Sequence, residues 1–174
     1  VATYLQWARQ RYGTAASCAA VATALTFDAT VTSLYVPLVG GGSTVLLPEG
    51  DGVEALADGL RRGEPWTLLK LTPAHLRALA PVLDETPATI RAQCLVVGGE
   101  ALPTTLATRW RTAGAGRTVV NEYGPTEATV GCCVSADADK ADETLPIGRP
   151  TPQTQLYALD AHLRPVPVGV VGEL

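Results

Sequence analysis

The sequence has no methionine, not even at position 1, one phenylalanine and two histidines. Without an initiator, and starting inside a helical pattern, the chain is expected to be an internal piece of a larger protein. Charge is also sparse: 17% of residues are charged and the net charge is −4, which leaves no electrostatic footprint for nucleic acid or an anionic membrane. No apolar run is long enough to span a bilayer and no secretory leader is present, so a cytoplasmic chain is expected. Cys18, Cys94, Cys132 and Cys133 have neither metal-ligand spacing nor the look of a disulfide framework, and are read as buried thiols. What remains is 174 residues, 47% of them hydrophobic, enough for one globular unit with a core or two small subdomains.

Periodicity alternates between strand and helix up to residue 134, the pattern of a mostly parallel α/β sheet flanked by helices. Residues 1–12 read as an amphipathic helix around Leu5 and Ala8, closed by Gly13. A strand over 19–25 leads to Asp28, whose ordinary role would be the N-cap of a helix carrying Val31, Leu34, Tyr35 and Leu38. Gly40-Gly41-Gly42 ends that helix and precedes a strand, so it reads as a turn and not as a phosphate cradle. A helix over 52–62 and a strand over 66–71 follow. Lys70 stands inside that apolar strand, where a lysine needs a partner or a way out to water. Thr72-Pro73 opens one helix through Leu76, Leu79 and Val82, with His75 exposed and without a role. A strand lies within 90–97, a helix runs from Pro103 to Ala113, and 135–143 reads as a charged loop. From residue 147 the β pieces 155–159 and 166–174 suggest the start of a small β-rich subdomain, giving units of 1–146 and 147–174.

Chemistry concentrates in Asn121-Glu122-Tyr123-Gly124-Pro125-Thr126-Glu127, read as a loop past the carboxyl end of the strand Thr118–Val120, where open α/β sheets bind ligands. Tyr123 offers a ring for stacking, Gly124-Pro125 a tight turn, Thr126 a hydroxyl for phosphate, and Glu127 a hard oxygen ligand of the kind Mg²⁺ takes. The plain reading of Gly-Pro-Thr-Glu is a capped helical turn.

These seven residues resemble the core motif of amino-acid adenylation domains of nonribosomal peptide synthetases, within the adenylate-forming superfamily. Three further matches fall in family order: Phe27-Asp28-Ala29-Thr30, Leu95-Val96-Val97-Gly98-Gly99-Glu100, and Leu145-Pro146-Ile147-Gly148-Arg149-Pro150 running to Gly169–Leu174. The resemblance implies attack of an amino-acid carboxylate on the α-phosphate of ATP, then transfer to phosphopantetheine on a peptidyl carrier domain, with an MbtH-like accessory protein as a possible partner. It implies that Tyr123, with Gly98 and Gly99 opposite it, sandwiches adenine, that Asn121 bonds the adenine edge, that Gly124 belongs to the nucleotide loop, and that Thr126 and Glu127 serve catalysis, Glu127 through Mg²⁺.

By the same resemblance Asp28 pairs with the α-ammonium group, and Asp28, Ala29, Thr32, Lys70, Val96, Gly98, Glu122, Val130 and Gly131 line the side-chain pocket. A carboxamide suits its two charges, accepting from Lys70 and donating to Glu122. Asparagine is therefore the expected substrate, ahead of aspartate or a β-substituted form, although Ala29 stands where leucine is expected. The family's phosphate loop, ribose-binding aspartate and catalytic lysine fall outside these 174 residues, so this stretch alone is expected not to turn over. An acyl-CoA ligase would give no reason for Asp28; a noncatalytic recognition module is the other alternative.

Overall fold

The computed structural model describes residues 1–13, 17–48, 50–85, 92–113, 118–135 and 143–174. Its strands are β1 (Cys18–Val21), β2 (Ser43–Leu46), β3 (Leu68–Leu71), β4 (Cys94–Gly98), β5 (Thr118–Tyr123), β6 (Cys133–Ser135) and β7 (Arg149–Pro150). They form one sheet in the order β2-β1-β3-β4-β5-β6-β7. The first five run parallel, and β6 and β7 join antiparallel.

Parallel neighbours need crossovers, and helices supply them: α2 (Thr30–Val39), α3 (Gly52–Arg62), α4 (Pro73–Ala78) with α5 (Ala80–Glu85), and α6 (Thr104–Thr112), while α1 (Ala2–Tyr12) precedes the sheet. The expected mostly parallel α/β sheet is present.

Strand alternation divides the core into two layers. Leu69, Leu71, Leu95, Val97 and Val119 pack with Leu56, Leu60, Leu76 and Trp110 from α3, α4 and α6. Leu68, Cys94, Val96 and Val120 face the other way, onto Tyr4, Ala8, Tyr12 and Val36 from α1 and α2. Burial in the second layer pushes the Cys94 thiol up to about 12, so it stays protonated. In α3, the glycine at 59 is explained by Trp66: a Cβ there would stand 2.0 Å from the indole.

The structure corrects several expectations. β1 ends at Val21, because Thr30 Oγ1 donates to the Ala24 carbonyl at 2.8 Å and contacts Thr23 Oγ1 at 2.6 Å, folding 22–29 into a loop that leaves Leu25 exposed. The expected helix after Thr72 is two helices with a break at Leu79, where Pro81 lacks the N–H an unbroken helix would use. β5 continues through Asn121, Glu122 and Tyr123, which pair with β6, and the first two also with β4, so the motif's first half is strand and not loop. The apolar run at 128–134 yields a strand only from Cys133. The charged-loop reading of 135–143 falls almost wholly outside the described residues, as do residues 90 and 91 of the 90–97 strand.

His75 is half-buried and closes a capping box. Thr72 Oγ1 accepts the His75 N–H at 3.3 Å, and His75 Nδ1 accepts the Thr72 N–H at 3.3 Å. The accepting Nδ1 must be unprotonated, and burial lowers the imidazole pKa against a weaker opposing pull from Glu100. The unfolded chain then binds a proton, at an ordinary pKa of about 6.5, that the folded chain refuses. Stability is therefore complete above about 6.5 and falls as pH drops through the lower folded value. Thr72→Ala is expected to cost about 1 kcal/mol near neutrality. Thermal melts over a pH series check both, with the His75 share of the acid loss absent in His75→Gln.

Candidate functional site

Two strands, β3 and β5, aim polar groups at the α1 and α2 layer across β4 between them. Lys70 sits opposite Val96, and Glu122 opposite Gly98, so Lys70, Val96, Gly98 and Glu122 share one sheet face at the carboxyl ends of β3, β4 and β5. Lys70 is 4% exposed and Glu122 2%, and Lys70 Nζ donates to Glu122 Oε1. The lysine does not reach out to water; it is paired inside. Burying two charges is tolerable only with close pairing and further hydrogen bonds.

Helix α1 supplies those bonds. The Tyr12 hydroxyl donates to Glu122 Oε2 at 2.7 Å, and the Tyr4 hydroxyl reaches both carboxylate oxygens at 3.1 Å. Tyr4 also lies 2.6 Å from Thr32 Oγ1 on α2. Burial, and then the Glu122 charge, push both phenols well above their ordinary pKa, so they remain protonated. Sequence reasoning missed Tyr4 and Tyr12. Their signal was spacing: with Ala8 they occupy successive turns of α1, and all three are buried.

Glycines give the carboxylate its room. A Cβ on Gly131 would stand 2.4 Å from Glu122 Cδ, and one on Gly98 would stand 2.5 Å from the Glu122 carbonyl oxygen and 3.2 Å from Lys70 Nζ. Gly131 is brought there by a tight turn in which Thr129 and Val130 hold φ of 64° and 65°. Left-handed φ at β-branched residues costs on the order of 1–3 kcal/mol each, strain of a kind that concentrates at functional sites. Val130 is buried in the α1 and α2 layer.

Asp28 does not cap α2. Ala29 is the N-cap, with no side-chain bond, and the Asp28 carbonyl accepts the Val31 N–H at 2.9 Å. Among the described residues, the buried Asp28 Oδ2 has no hydrogen-bond partner. Ala29 and Thr32 beside it are buried, and the negative charge of Asp28 is felt at Tyr4. The residues expected to line the side-chain pocket thus lie toward the α1 and α2 layer.

The residues expected at nucleotide are arranged differently. Asn121 points to the opposite sheet face, where its amide nitrogen donates to the carbonyls of Leu145 at 3.2 Å and Pro146 at 2.9 Å. Tyr123 is 40% exposed at the end of β5. Gly124 packs against the returning loop, where a Cβ would meet the Val130 oxygen at 2.7 Å. Thr126 and Glu127 stand exposed in a single 3-10 turn beyond it. Gly99, at φ 86°, leaves open backbone that a Cβ would place 3.5 Å from the Phe27 ring.

Among the described residues no cluster of three or more His, Cys, Asp or Glu could hold a metal ion. A lone exposed Glu127 still fits Mg²⁺, which keeps waters and takes one or two carboxylates beside substrate phosphates. No helix among the described residues is long and apolar enough to cross a membrane. A cavity of about 430 Å³ lies at the ends of β1 and β2, lined by Thr23, Thr26, Leu47 and neighbours, away from these polar groups. One of about 240 Å³ touches Tyr4, Thr129 and Gly131.

A family model described as AMP-binding enzyme matches residues 1–174. Tyrocidine synthase 3 of Brevibacillus parabrevis is 37% identical over 98% of this chain and 3% of its own length. Bacitracin synthase 3 of Bacillus licheniformis is 35% identical over the same shares. The crystal structure of a four-domain nonribosomal peptide synthetase bound to AMP and glycine aligns at TM-score 0.82 and 31% identity, over 98% of this chain and 13% of that one. The chain thus spans about 3% of the length of these two curated relatives.

Proposed function

The chain belongs to the AMP-binding enzyme family, and from that membership we propose that it is the substrate-selecting core of an amino-acid adenylation domain of a nonribosomal peptide synthetase, with asparagine as its amino acid. The observation that carries this reading is the buried Lys70–Glu122 pair beside an unpartnered Asp28 carboxylate oxygen. Asp28 has the charge and the spare acceptor for an α-ammonium group. Lys70 uses one of its three N–H donors on Glu122 and has others for a carboxamide oxygen. A free side-chain carboxylate would meet Glu122 as a like charge, and an aliphatic side chain would leave the ammonium donors without a partner.

In the reaction, an amino-acid carboxylate oxygen attacks the α-phosphorus of ATP, the new P–O bond forms, and the bond to the β-phosphate oxygen breaks, releasing pyrophosphate. This chain's share is positioning, since such chemistry is mostly orientation and charge neutralisation. Asp28, Lys70 and Glu122 hold the amino acid; the exposed Tyr123 ring and the bare Gly98-Gly99 backbone accommodate adenine, with Asn121 nearby; Thr126 faces phosphate. Mg²⁺ bound at Glu127 would supply neutralising charge for the phosphates. In this reading residues 1–146 belong to the α/β unit and 147–174 to the next, although β7 still pairs with β6 and the expected pieces 155–159 and 166–174 form only isolated bridges from Leu159 to Pro165 and Glu173. A carrier domain with its phosphopantetheine thiol, and an MbtH-like protein, are the partners in this reading.

The test is amino-acid-dependent exchange of pyrophosphate into ATP by the complete protein carrying this chain, with asparagine, aspartate and glutamine side by side. Asparagine is expected to lead by about tenfold or more, because a site built to bond an amide leaves buried groups unpaired with the wrong side chain. Exchange with no amino acid would end the adenylation reading; a lead for aspartate would replace asparagine.

A further inference from the structure

We propose that Tyr4 and Tyr12 are specificity-determining residues of unlike kind: Tyr12 fixes the Glu122 carboxylate, whereas Tyr4 surrenders it to the substrate's side-chain N–H and turns its hydroxyl to Thr32. This rests on the amino-acid-selecting role proposed above and deepens it.

Counting donors and acceptors gives the argument. A carboxylate accepts about four hydrogen bonds. Glu122 Oε1 receives Lys70 and Oε2 receives Tyr12, and the single Tyr4 O–H straddles the remaining acceptor site of each oxygen. A substrate N–H approaching either of those two sites competes with the Tyr4 hydroxyl that straddles them. Lys70 is held by the cost of leaving a buried charge unpaired. Tyr12 makes a bond of ordinary length, 2.7 Å, to a single oxygen.

Tyr4 is the donor that can leave. Its hydroxyl is split between two oxygens at 3.1 Å, longer than the usual 2.7–2.8 Å of an O–H···O bond. It already has a second acceptor at 2.6 Å in Thr32 Oγ1, so departure leaves no buried donor unsatisfied. The raised pKa of both phenols keeps them donors across the physiological range.

The two phenol-to-phenylalanine changes should therefore act in opposite directions. In the complete protein, Tyr12→Phe should raise the KM of the preferred amino acid about tenfold or more, the value of a hydrogen bond to a charged group. Its kcat should stay within about threefold, since reactant alignment is set elsewhere, and its selectivity over the runner-up amino acid should fall in step. Tyr4→Phe should lower that KM, because the substrate N–H no longer competes with a hydroxyl. Both variants are checked by thermal melts. If Tyr12→Phe does not fold, the sign of the Tyr4→Phe change decides.

A general loss of kcat in both, or KM rising in both, would mean the phenols are structural and would overturn the inference while leaving the adenylation reading in place. A wild type that prefers aspartate, which has no side-chain N–H to offer, would overturn the inference and replace asparagine, while leaving amino-acid adenylation in place. A wild type with no amino-acid-dependent exchange would overturn the proposed function, and the inference with it.

Discussion

Lys70→Met is expected to destabilise the complete protein by about 3–5 kcal/mol, the usual cost of removing one partner from a buried ion pair. Glu122 has no solvent-exposed side-chain surface, and the two phenols can share its charge but cannot neutralise it. Since folded proteins hold about 5–15 kcal/mol in total, this one change consumes a large part of the margin. Glu122→Gln in the same background should restore much of the loss, because a neutral amide still accepts from the tyrosines and no longer needs a cation. Denaturant unfolding of the two single variants and the double closes the cycle. A Lys70→Met variant within about 1 kcal/mol of wild type would show that water reaches the pair, since exposed pairs are worth no more than that.

Asp28→Ala should do the reverse, leaving stability nearly untouched while removing activity. The Asp28 carboxyl caps nothing, and one oxygen is buried without a partner among the described residues, an arrangement that costs free energy in the free protein. Its deletion should shift the thermal midpoint little, or upward. If that oxygen receives the α-ammonium group, the loss of a buried charge-assisted bond is about 3–4 kcal/mol, or a fall in kcat/KM for the amino acid on the order of a hundredfold to a thousandfold. Exchange kinetics and a melt on the same sample separate the outcomes. Normal kinetics would remove Asp28 from the site; a large melting loss would make it structural.

The two aspects of the site were unequally legible in the sequence. A single lysine in Leu68-Leu69-Lys70-Leu71 announces that a charge needs a partner, and Glu122 sits in the densest motif, so both were visible. That they bond to each other was not visible, because parallel register between β3, β4 and β5 brings them together and local pattern does not encode register across crossovers. For the same reason Asn121-Glu122-Tyr123 looked too polar for a strand. Polar residues read as loop until a distant cation satisfies one and distant carbonyls another. Tyr4 and Tyr12 looked like packing, since an aromatic ring on a helix face shows its apolar body in the pattern and hides its hydroxyl. The two-helix break was legible at Pro81, whose missing N–H outweighed the apolar spacing of Leu76, Leu79 and Val82. The alternating strands and helices came through best because each rests on local periodicity.

The contacts around Glu122 also bear on how the chain folds. Its partners lie 52, 110 and 118 residues away along the sequence. Every such contact must first close a long loop, and closure entropy is spent before the contact returns anything. Nothing local can assemble this group: α1 is made early in the chain, β5 late, and an unpaired charge gains nothing from entering a half-built interior. The residues proposed to select the amino acid therefore come together only when α1 docks on the finished centre of the sheet, and on that proposal a molecule whose α1 has not yet docked cannot choose its substrate.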